Sequence, residues 1–177
     1  MIKKFTFFDT ETTGKDPFFS EIISIFARTI DITTGMVIDE LDEECSLPSY
    51  RFPDPGALLI NKYPIEKLRK GQSSHEMLHK AHDYFKKHTP QICVAHYASF
   101  DFKMLHNSYF KNVITTDLYQ LKTNGNILLC NHQLARAVEG FIKDNPLGVK
   151  NNLGNPCFKL GDLCRANDIY IDAHNAK

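Results

Sequence analysis

Asp9 and Glu11 are the first residues of the chain whose type and spacing could do chemistry. They lie two positions apart in FTFFDTETTG, residues 5–14, where an apolar stretch ends. Residues two apart on a β-strand point to the same face, so the two carboxylates would lie side by side. A third acid, Asp101, follows a second apolar stretch, CVAHYASF, residues 93–100. Three ionised carboxylates in one place repel each other unless cations neutralise them.

The chemistry that such a group of carboxylates favours is phosphoryl transfer assisted by metal ions. Oxygen ligands of this kind bind hard divalent cations, and Mg²⁺ or Mn²⁺ are the natural candidates. Two such ions about 4 Å apart would hold the attacking and leaving oxygens of a phosphoryl displacement. The simpler alternative is that the three acids are unrelated surface residues or helix caps. A lone Asp-x-Glu favours that alternative, but two acidic motifs that each follow an apolar stretch favour a shared site.

The elements that must position these acids are predicted from apolar periodicity. Short connections between the first three strands predict an antiparallel meander, and the later alternation of strand and helix predicts an α/β domain with a mixed sheet. In such a sheet the ends of the first and fourth strands can be neighbours. Ser73 or Ser74 is expected to cap the first long helix, and Ser99 the second. The predicted strands cover 2–11, 20–31, 36–47, 91–97 and 112–117, and the predicted helices cover 73–88, 99–110, 129–141 and 158–169.

The composition is that of an ordinary globular protein with one domain. The chain has 177 residues, of which 42% are hydrophobic and 24% are charged, and its formal net charge is zero. This neutral balance neither supports nor excludes a nucleic-acid partner, so any polyanion site must be local. The five cysteines are widely spaced without a C-x-x-C pair, which indicates reduced thiols and a cytoplasmic protein. No apolar run is long enough to predict a membrane span.

Several segments together resemble a known family of nucleases. FFDTETTG (7–14), VAHYASFD (94–101) and AHNAK (173–177) are similar to the three motifs of the DEDD exonuclease superfamily in its histidine-containing branch (DEDDh). Residues 53–72 and 158–177 resemble further segments of the N-terminal domain of the bacterial exonuclease I family. The resemblance implies a ribonuclease H-like fold with a mixed five-stranded sheet flanked by helices. It also implies 3′–5′ exonuclease activity that hydrolyses single-stranded DNA to 5′-mononucleotides.

The resemblance further implies a role for each matching residue. Asp9 would bridge two Mg²⁺ ions, which Mn²⁺ could replace; Glu11 would bind the ion that holds the attacking water, and Asp101 the ion on the leaving-group side. His174 would be the general base, because its ordinary pKa near 6.5 suits proton transfer near neutral pH. The residues expected to contact the 3′-terminal nucleotide or to line its cleft are Thr12, Thr13, His96 and Phe100.

One ligand of the family pattern lies beyond the chain. The pattern places an Asp five residues after the histidine, which here would be position 179, and the sequence ends at Lys177. We therefore expect residues 1–177 to be an exonuclease domain without its C-terminal helix or downstream domains, with weak metal binding and slow or absent hydrolysis. Two alternatives stay open: an exonuclease of the proofreading (epsilon) or oligoribonuclease type that acts on RNA or DNA, and an inactive domain that binds nucleic acid.

A second motif, HEMLH at residues 75–79, matches the H-E-x-x-H signature of zinc peptidases. On a helix, however, His75, His79 and His82 fall on the face opposite the apolar residues. A catalytic zinc needs a partly buried pocket, so we expect a solvated face with at most adventitious zinc or nickel binding.

Residues 62–70 form a basic loop with four cations, Lys62, Lys67, Arg69 and Lys70. A solvated run of charges and a contact with the phosphates of a single strand are both consistent with this pattern. Tyr63 is a candidate stacking residue in the second case. The sequence leaves the two interpretations open.

Overall fold

The first half of the sheet is an antiparallel meander of three strands, as the sequence predicts. The computed structural model describes residues 3–114, 126–141, 150 and 157–169. In it, β1 spans Lys4–Thr12, β2 spans Ile22–Asp31 and β3 spans Val37–Glu44. β2 pairs antiparallel with both β1 and β3. Phe, Ile and Thr dominate β1 and β2, as is usual for strands that are buried on at least one face.

Two short strands complete the sheet on the other side of β1. β4 (Ile92–Ala95) pairs parallel with β1, and β5 (Ile127–Cys130) pairs parallel with β4. The resulting order is β3-β2-β1-β4-β5. The predicted mixed five-stranded sheet is therefore confirmed, and the carboxyl ends of β1, β4 and β5 meet at one edge.

Five helices are described beside the sheet. They are α1 (Pro55–Asn61), α2 (Ser74–His88), α3 (Ala98–Lys111), α4 (Asn131–Phe141) and α5 (Leu160–Ala166), with a 3-10 turn at Lys67–Arg69. Ser73 caps α2: its hydroxyl accepts the Glu76 N–H, and the Glu76 carboxylate accepts the Ser73 N–H. No helix in the described ranges has the length and apolarity that a membrane crossing requires.

Two sequence-based predictions at element boundaries are wrong. Ser99 does not cap α3, because the helix already begins at Ala98 and its N-cap is Tyr97, whose backbone is left-handed and makes no side-chain cap bond. The fifth strand is Ile127–Cys130 rather than 112–117: Asn112 ends α3, and residues 115–117 lie outside the described ranges. The β-branched residues at 113–115 resemble a strand in isolation, but the segment that pairs with β4 is the later one.

The main core lies between one face of the sheet and helices α2 and α3. Phe8 of β1 enters this core with Ile25 and Ala27 of β2, whereas Phe7, on the other face of β1, is 42% exposed. Since side chains alternate along a strand, Asp9 and Glu11 share the more open face with Phe7. The helical residues of the core are Met77, Leu78, Ala81, Tyr84, Phe85, Ala98, Met104, Leu105 and Tyr109.

Replacement of two adjacent residues of α2 tests which face of that helix is buried. Leu78 is 1% exposed and packs in the core, so Leu78→Ala should lower the free energy of unfolding by about 2–5 kcal/mol. His79 is exposed, so His79→Ala should change it by no more than about 0.5 kcal/mol. Urea denaturation followed by circular dichroism measures both. Equal effects of the two substitutions would contradict this orientation of α2.

Candidate active site

The carboxyl ends of the three parallel strands bring the predicted site residues to one edge of the sheet. The last β1–β4 pair is Phe7 with Val94, so Asp9 and His96 each follow that pair by two residues. Asp101 lies in the first turn of α3, which begins just after β4. The open edge of such strands is where ligands bind in α/β sheets.

Asp101 is anchored to β1 by two hydrogen bonds from one residue. The Thr10 backbone N–H and the Thr10 hydroxyl both donate to Asp101 Oδ1, at 3.2 and 2.7 Å. The Asp101 side chain is only 2% exposed, so these bonds compensate part of the loss of hydration. Thr10 thus fixes the helix acid beside the strand acids, a role that the sequence analysis missed. The sequence does show a threonine between two acids, but the hydrogen-bond partner of Thr10 lies 91 positions further along the chain.

Glu11 lies at an irregularity in the sheet. It pairs with Ser24 of β2, whereas the next residue, Thr12, pairs with Ile22, so the register shifts at this point. The shift leaves Ile23 as an extra residue on β2. Such bulges increase the local twist and redirect side chains at the ends of strands. The end of β1 therefore turns at the residue that carries the second carboxylate.

The three acids have raised pKa values. Burial raises the pKa of Asp9, although a hydrogen bond from the Thr10 backbone opposes the shift. Burial, followed by the charge of Asp9, raises the pKa of Glu11 to about 7. Burial also raises the pKa of Asp101 to about 7 against the Thr10 hydrogen bonds, and the Asp9 charge adds to it. Asp9 thus acts electrostatically on both other acids.

Thr12 and Thr13 shape the turn that follows β1. The Thr12 hydroxyl donates to the Gly14 carbonyl at 2.8 Å, and the Thr13 hydroxyl accepts the Glu21 N–H at 2.9 Å. Both threonines are buried. A Cβ at Gly14 would lie 2.7 Å from the Ser20 hydroxyl oxygen, so a larger residue there would force the Ser20 side chain to move. The hydroxyls of Thr12 and Thr13 thus form hydrogen bonds within the turn. Contact of these two threonines with a nucleotide stays a prediction.

His96 and Phe100 lie on either side of the start of α3. The His96 Nδ1–H donates to Asn131 Oδ1 at 2.6 Å. Burial lowers the pKa of His96, although the hydrogen bond to Asn131 opposes the shift. Phe100 is partly buried and packs against the main core. The lowered pKa favours the neutral ring of His96, and the cleft contacts predicted for His96 and Phe100 stay predictions.

The fourth predicted catalytic residue, His174, lies outside the described residues. Its assignment as general base therefore stays a prediction. Glu11 and Asp101 each lie within electrostatic range of Asp9, and His96 directly follows β4 at the same edge of the sheet.

The residues that could hold a metal ion are the three acids. Within the described ranges, no three His, Cys, Asp or Glu side chains are placed close enough together to hold one. The donor chemistry nevertheless fits a hard divalent cation, since all the donors are carboxylate oxygens. Burial, and after it the negative charge of Asp9, raises the pKa of Glu11 and of Asp101. A cation bound to these acids would relieve that repulsion.

The histidine stripe of α2 faces away from the core. His75 and His79 are exposed and contact each other edge to face, with ring centroids 4.4 Å apart. His82 contacts Tyr109 and Asp83 instead. The expected solvated face is confirmed for His75 and His79, and the pocket that a peptidase zinc requires is not formed by these residues.

The basic loop is partly used within the protein. The Lys67 ammonium donates to both oxygens of Glu44 at 3.1 Å, and Arg69 donates to the Pro48 carbonyl at 3.1 Å. Tyr63 packs against a small cluster of Ile23, Leu47 and Leu68. Its ring is half-buried there, and the stacking role of Tyr63 stays a prediction. Lys62 and Lys70 are exposed.

The order of the strands and the acids at the carboxyl edge define a ribonuclease H-like domain of the exonuclease type. No protein-family model matches the chain. Two curated proteins named exodeoxyribonuclease I, from Buchnera aphidicola subsp. Acyrthosiphon pisum and subsp. Schizaphis graminum, are 28% and 26% identical to it over 97% of its length. The chain spans only 42% and 36% of these relatives.

Solved structures of exonuclease I show the same fold. E. coli exonuclease I in complex with a dT13 oligonucleotide matches 98% of this chain with a TM-score of 0.87 and 25% identity, and this chain covers 38% of it. An apo exonuclease I structure matches with a TM-score of 0.86 and 25% identity, over 98% of this chain and 39% of that one. The chain is therefore homologous to the N-terminal region of exonuclease I, a DEDDh exonuclease.

The raised pKa of Glu11 predicts how the stability of the metal-free protein depends on pH. The folded state keeps a proton that the unfolded state releases, because the pKa of Glu11 is about 7 in the fold against an ordinary 4.5. Stability should therefore fall as pH rises from about 4.5 to 7. Above pH 7, Glu11→Gln should raise Tm by roughly 2–4 °C, equivalent to about 1 kcal/mol.

Thermal denaturation in EDTA at pH 5 and pH 8 measures this effect. Glu66 is exposed and its side chain makes no cap hydrogen bond, so Glu66→Gln is the matched control and should leave Tm unchanged. A lower Tm for Glu11→Gln at pH 8 would show that the Glu11 charge is not a source of repulsion.

Proposed function

We propose that this domain is a metal-dependent 3′–5′ exonuclease that hydrolyses single-stranded DNA to 5′-mononucleotides. The observation that carries the proposal is the convergence of Asp9, Glu11 and Asp101 at the carboxyl edge of a sheet shared with exonuclease I. E. coli exonuclease I binds dT13 and dA16 oligonucleotides in crystals. Because the chain is homologous to exonuclease I, we propose single-stranded DNA as its substrate.

The electrostatics of the edge support a phosphodiester as the reacting group. α3 and α4 both begin where β4 and β5 end, so the positive ends of their dipoles face the same edge as the acids. Lys62 and Lys70 of the basic loop are exposed cations that could add phosphate contacts. The starts of α3 and α4 thus attract anionic groups to this edge, while the acids themselves require cations.

Each acid has a proposed part in the reaction. Asp9, Glu11 and Asp101 would hold two Mg²⁺ ions, which Mn²⁺ can replace, with Asp9 shared between them. The ions would supply a polarised water and neutralise charge on the phosphoryl oxygens. Thr10 keeps Asp101 in position through its two hydrogen bonds to Oδ1. His174 would take the proton from the attacking water, and His96 and Asn131 would form a neutral wall of the cleft.

Removal of one carboxylate tests the proposed activity. Asp9→Asn should lower the rate of mononucleotide release from a 3′ end by at least roughly a hundredfold, because it removes a shared metal ligand. The assay follows 3′- and 5′-labelled single strands of DNA and RNA with Mg²⁺, Mn²⁺ or EDTA, on the full natural polypeptide that contains residues 1–177. Asp83, which is exposed on α2, gives the matched control Asp83→Asn. Equal rates for Asp9→Asn and the unsubstituted protein would exclude the proposal.

Metal binding can be measured separately from catalysis. Mn²⁺ should raise Tm, because a ligand that binds only the folded state stabilises it. Asp101→Asn keeps an oxygen that can accept the Thr10 hydrogen bonds but loses the charge, so Mn²⁺ should raise its Tm by less than half as much. An identical Mn²⁺ response in the two proteins would remove Asp101 from the metal ligands.

A further inference from the structure

An aromatic group that the proposed mechanism does not use lies beside the acids. The Tyr97 ring stacks on the His132 ring, with centroids 4.1 Å apart and planes at 25°. His96 contacts Tyr97 edge to face at 4.9 Å, and Phe158 contacts His132 edge to face at 5.9 Å. Three elements thus support one stacked pair: the end of β4, the start of α4 and the segment before α5.

The position of this pair follows from the register of the parallel strands. Ala95 of β4 pairs with Cys130 of β5. The next residues on each strand, His96 and Asn131, form the 2.6 Å hydrogen bond, and the residues after those are Tyr97 and His132. The stacked pair therefore continues the sheet at its carboxyl edge, where Asp9 and Asp101 also lie.

The backbone of Tyr97 is in a conformation that tyrosine disfavours. Its φ of 58° and ψ of 42° are left-handed, a region that Gly and Asn occupy more readily than bulky residues. Its side chain does not cap α3, and the residue is 50% exposed. Helix capping and burial therefore do not explain the aromatic ring, and such strained residues cluster at functional sites.

The chemistry of the pair suits a planar neutral ligand. Burial lowers the pKa of His132, which favours the neutral imidazole as the stacking partner of the Tyr97 ring. Nucleobases are planar, and their stacking on aromatic side chains is tolerant of sequence. An exonuclease that removes nucleotides one after another must bind every base, so stacking is a suitable form of recognition.

We propose that Tyr97, supported by His132, is a stacking platform for a nucleobase near the 3′ end of the bound single strand. This inference rests on the proposed function, since it assigns the platform to the same substrate. It makes Tyr97 a substrate-binding residue and His132 a positioning residue for the Tyr97 ring. Stacking on this pair would hold the strand while its terminal phosphodiester lies at the acids.

The substitution Tyr97→Asn removes the stacking platform without lowering the stability of the fold. Asn suits the left-handed backbone, so Tm should stay at or above that of the unsubstituted protein. Affinity is measured in EDTA by fluorescence anisotropy with dT12 strands, either intact or with one abasic site at each of the four 3′-terminal positions. The unsubstituted protein should bind at least one abasic strand roughly 5- to 100-fold more weakly than the intact strand.

The abasic penalty should disappear in Tyr97→Asn and persist in Tyr97→Phe, which keeps the ring. His132→Ala should reduce the penalty when Tyr97 is present and have no further effect in the Tyr97→Asn protein. Met36 is 68% exposed at the opposite end of the sheet, so Met36→Ala should leave the penalty unchanged. An unchanged penalty in Tyr97→Asn, or its loss in Tyr97→Phe, would overturn the platform.

The test of the Tyr97 platform and the test of the catalytic acids can succeed or fail independently. If Asp9→Asn abolishes hydrolysis while the abasic penalty survives in Tyr97→Asn, the proposed function stands and the platform fails. If hydrolysis does not depend on Asp9 but the penalty depends on Tyr97, the chain binds single strands through the platform and the nuclease proposal fails.

Discussion

The accumulation of negative charge at one edge of the sheet is the constraint on which this structure depends. Asp101 is almost fully buried, and burial, with the charge of Asp9 as a smaller cause, raises the pKa of both Asp101 and Glu11. A fold without a use for cations would not gain stability from this arrangement, because burial and like charges both disfavour ionised carboxylates. The protein holds the acids in place through Thr10, whose two hydrogen bonds connect the helix acid to the strand acids.

The two faces of the sheet carry different groups of residues, with the hydrophobic core on one face and the two strand acids on the other. One face carries Phe8 and the residues that pack against α2 and α3, and this dense core makes the positions of the strands rigid. The other face carries Asp9 and Glu11 near the strand ends, where fewer side chains cover them. The residues proposed to act in catalysis are thus carried by a paired strand and by the first turn of a helix rather than by a loop.

The carboxyl edge combines three kinds of interaction that a polyanionic strand would need. The acids offer carboxylate oxygens to the cations that the proposed mechanism requires, the starts of α3 and α4 attract anionic groups, and the Tyr97–His132 pair presents an aromatic surface. All three arise from the same parallel register of β1, β4 and β5. This common origin explains why residues as distant in sequence as Asp9, Tyr97 and His132 belong to one region.

The sequence by itself determined the elements that have strong local patterns and the types of the chemical groups. The apolar alternation of β1 and β2, the capped amphipathic helix α2 and the Asp-x-Glu pair are all local, because they depend on residues a few positions apart. The fifth strand and the start of α3 were predicted wrongly because pairing and packing with distant residues decide them. Only the tertiary structure joined Thr10 to Asp101 and Tyr97 to His132, since strand register, which the sequence does not encode locally, brings those residues together.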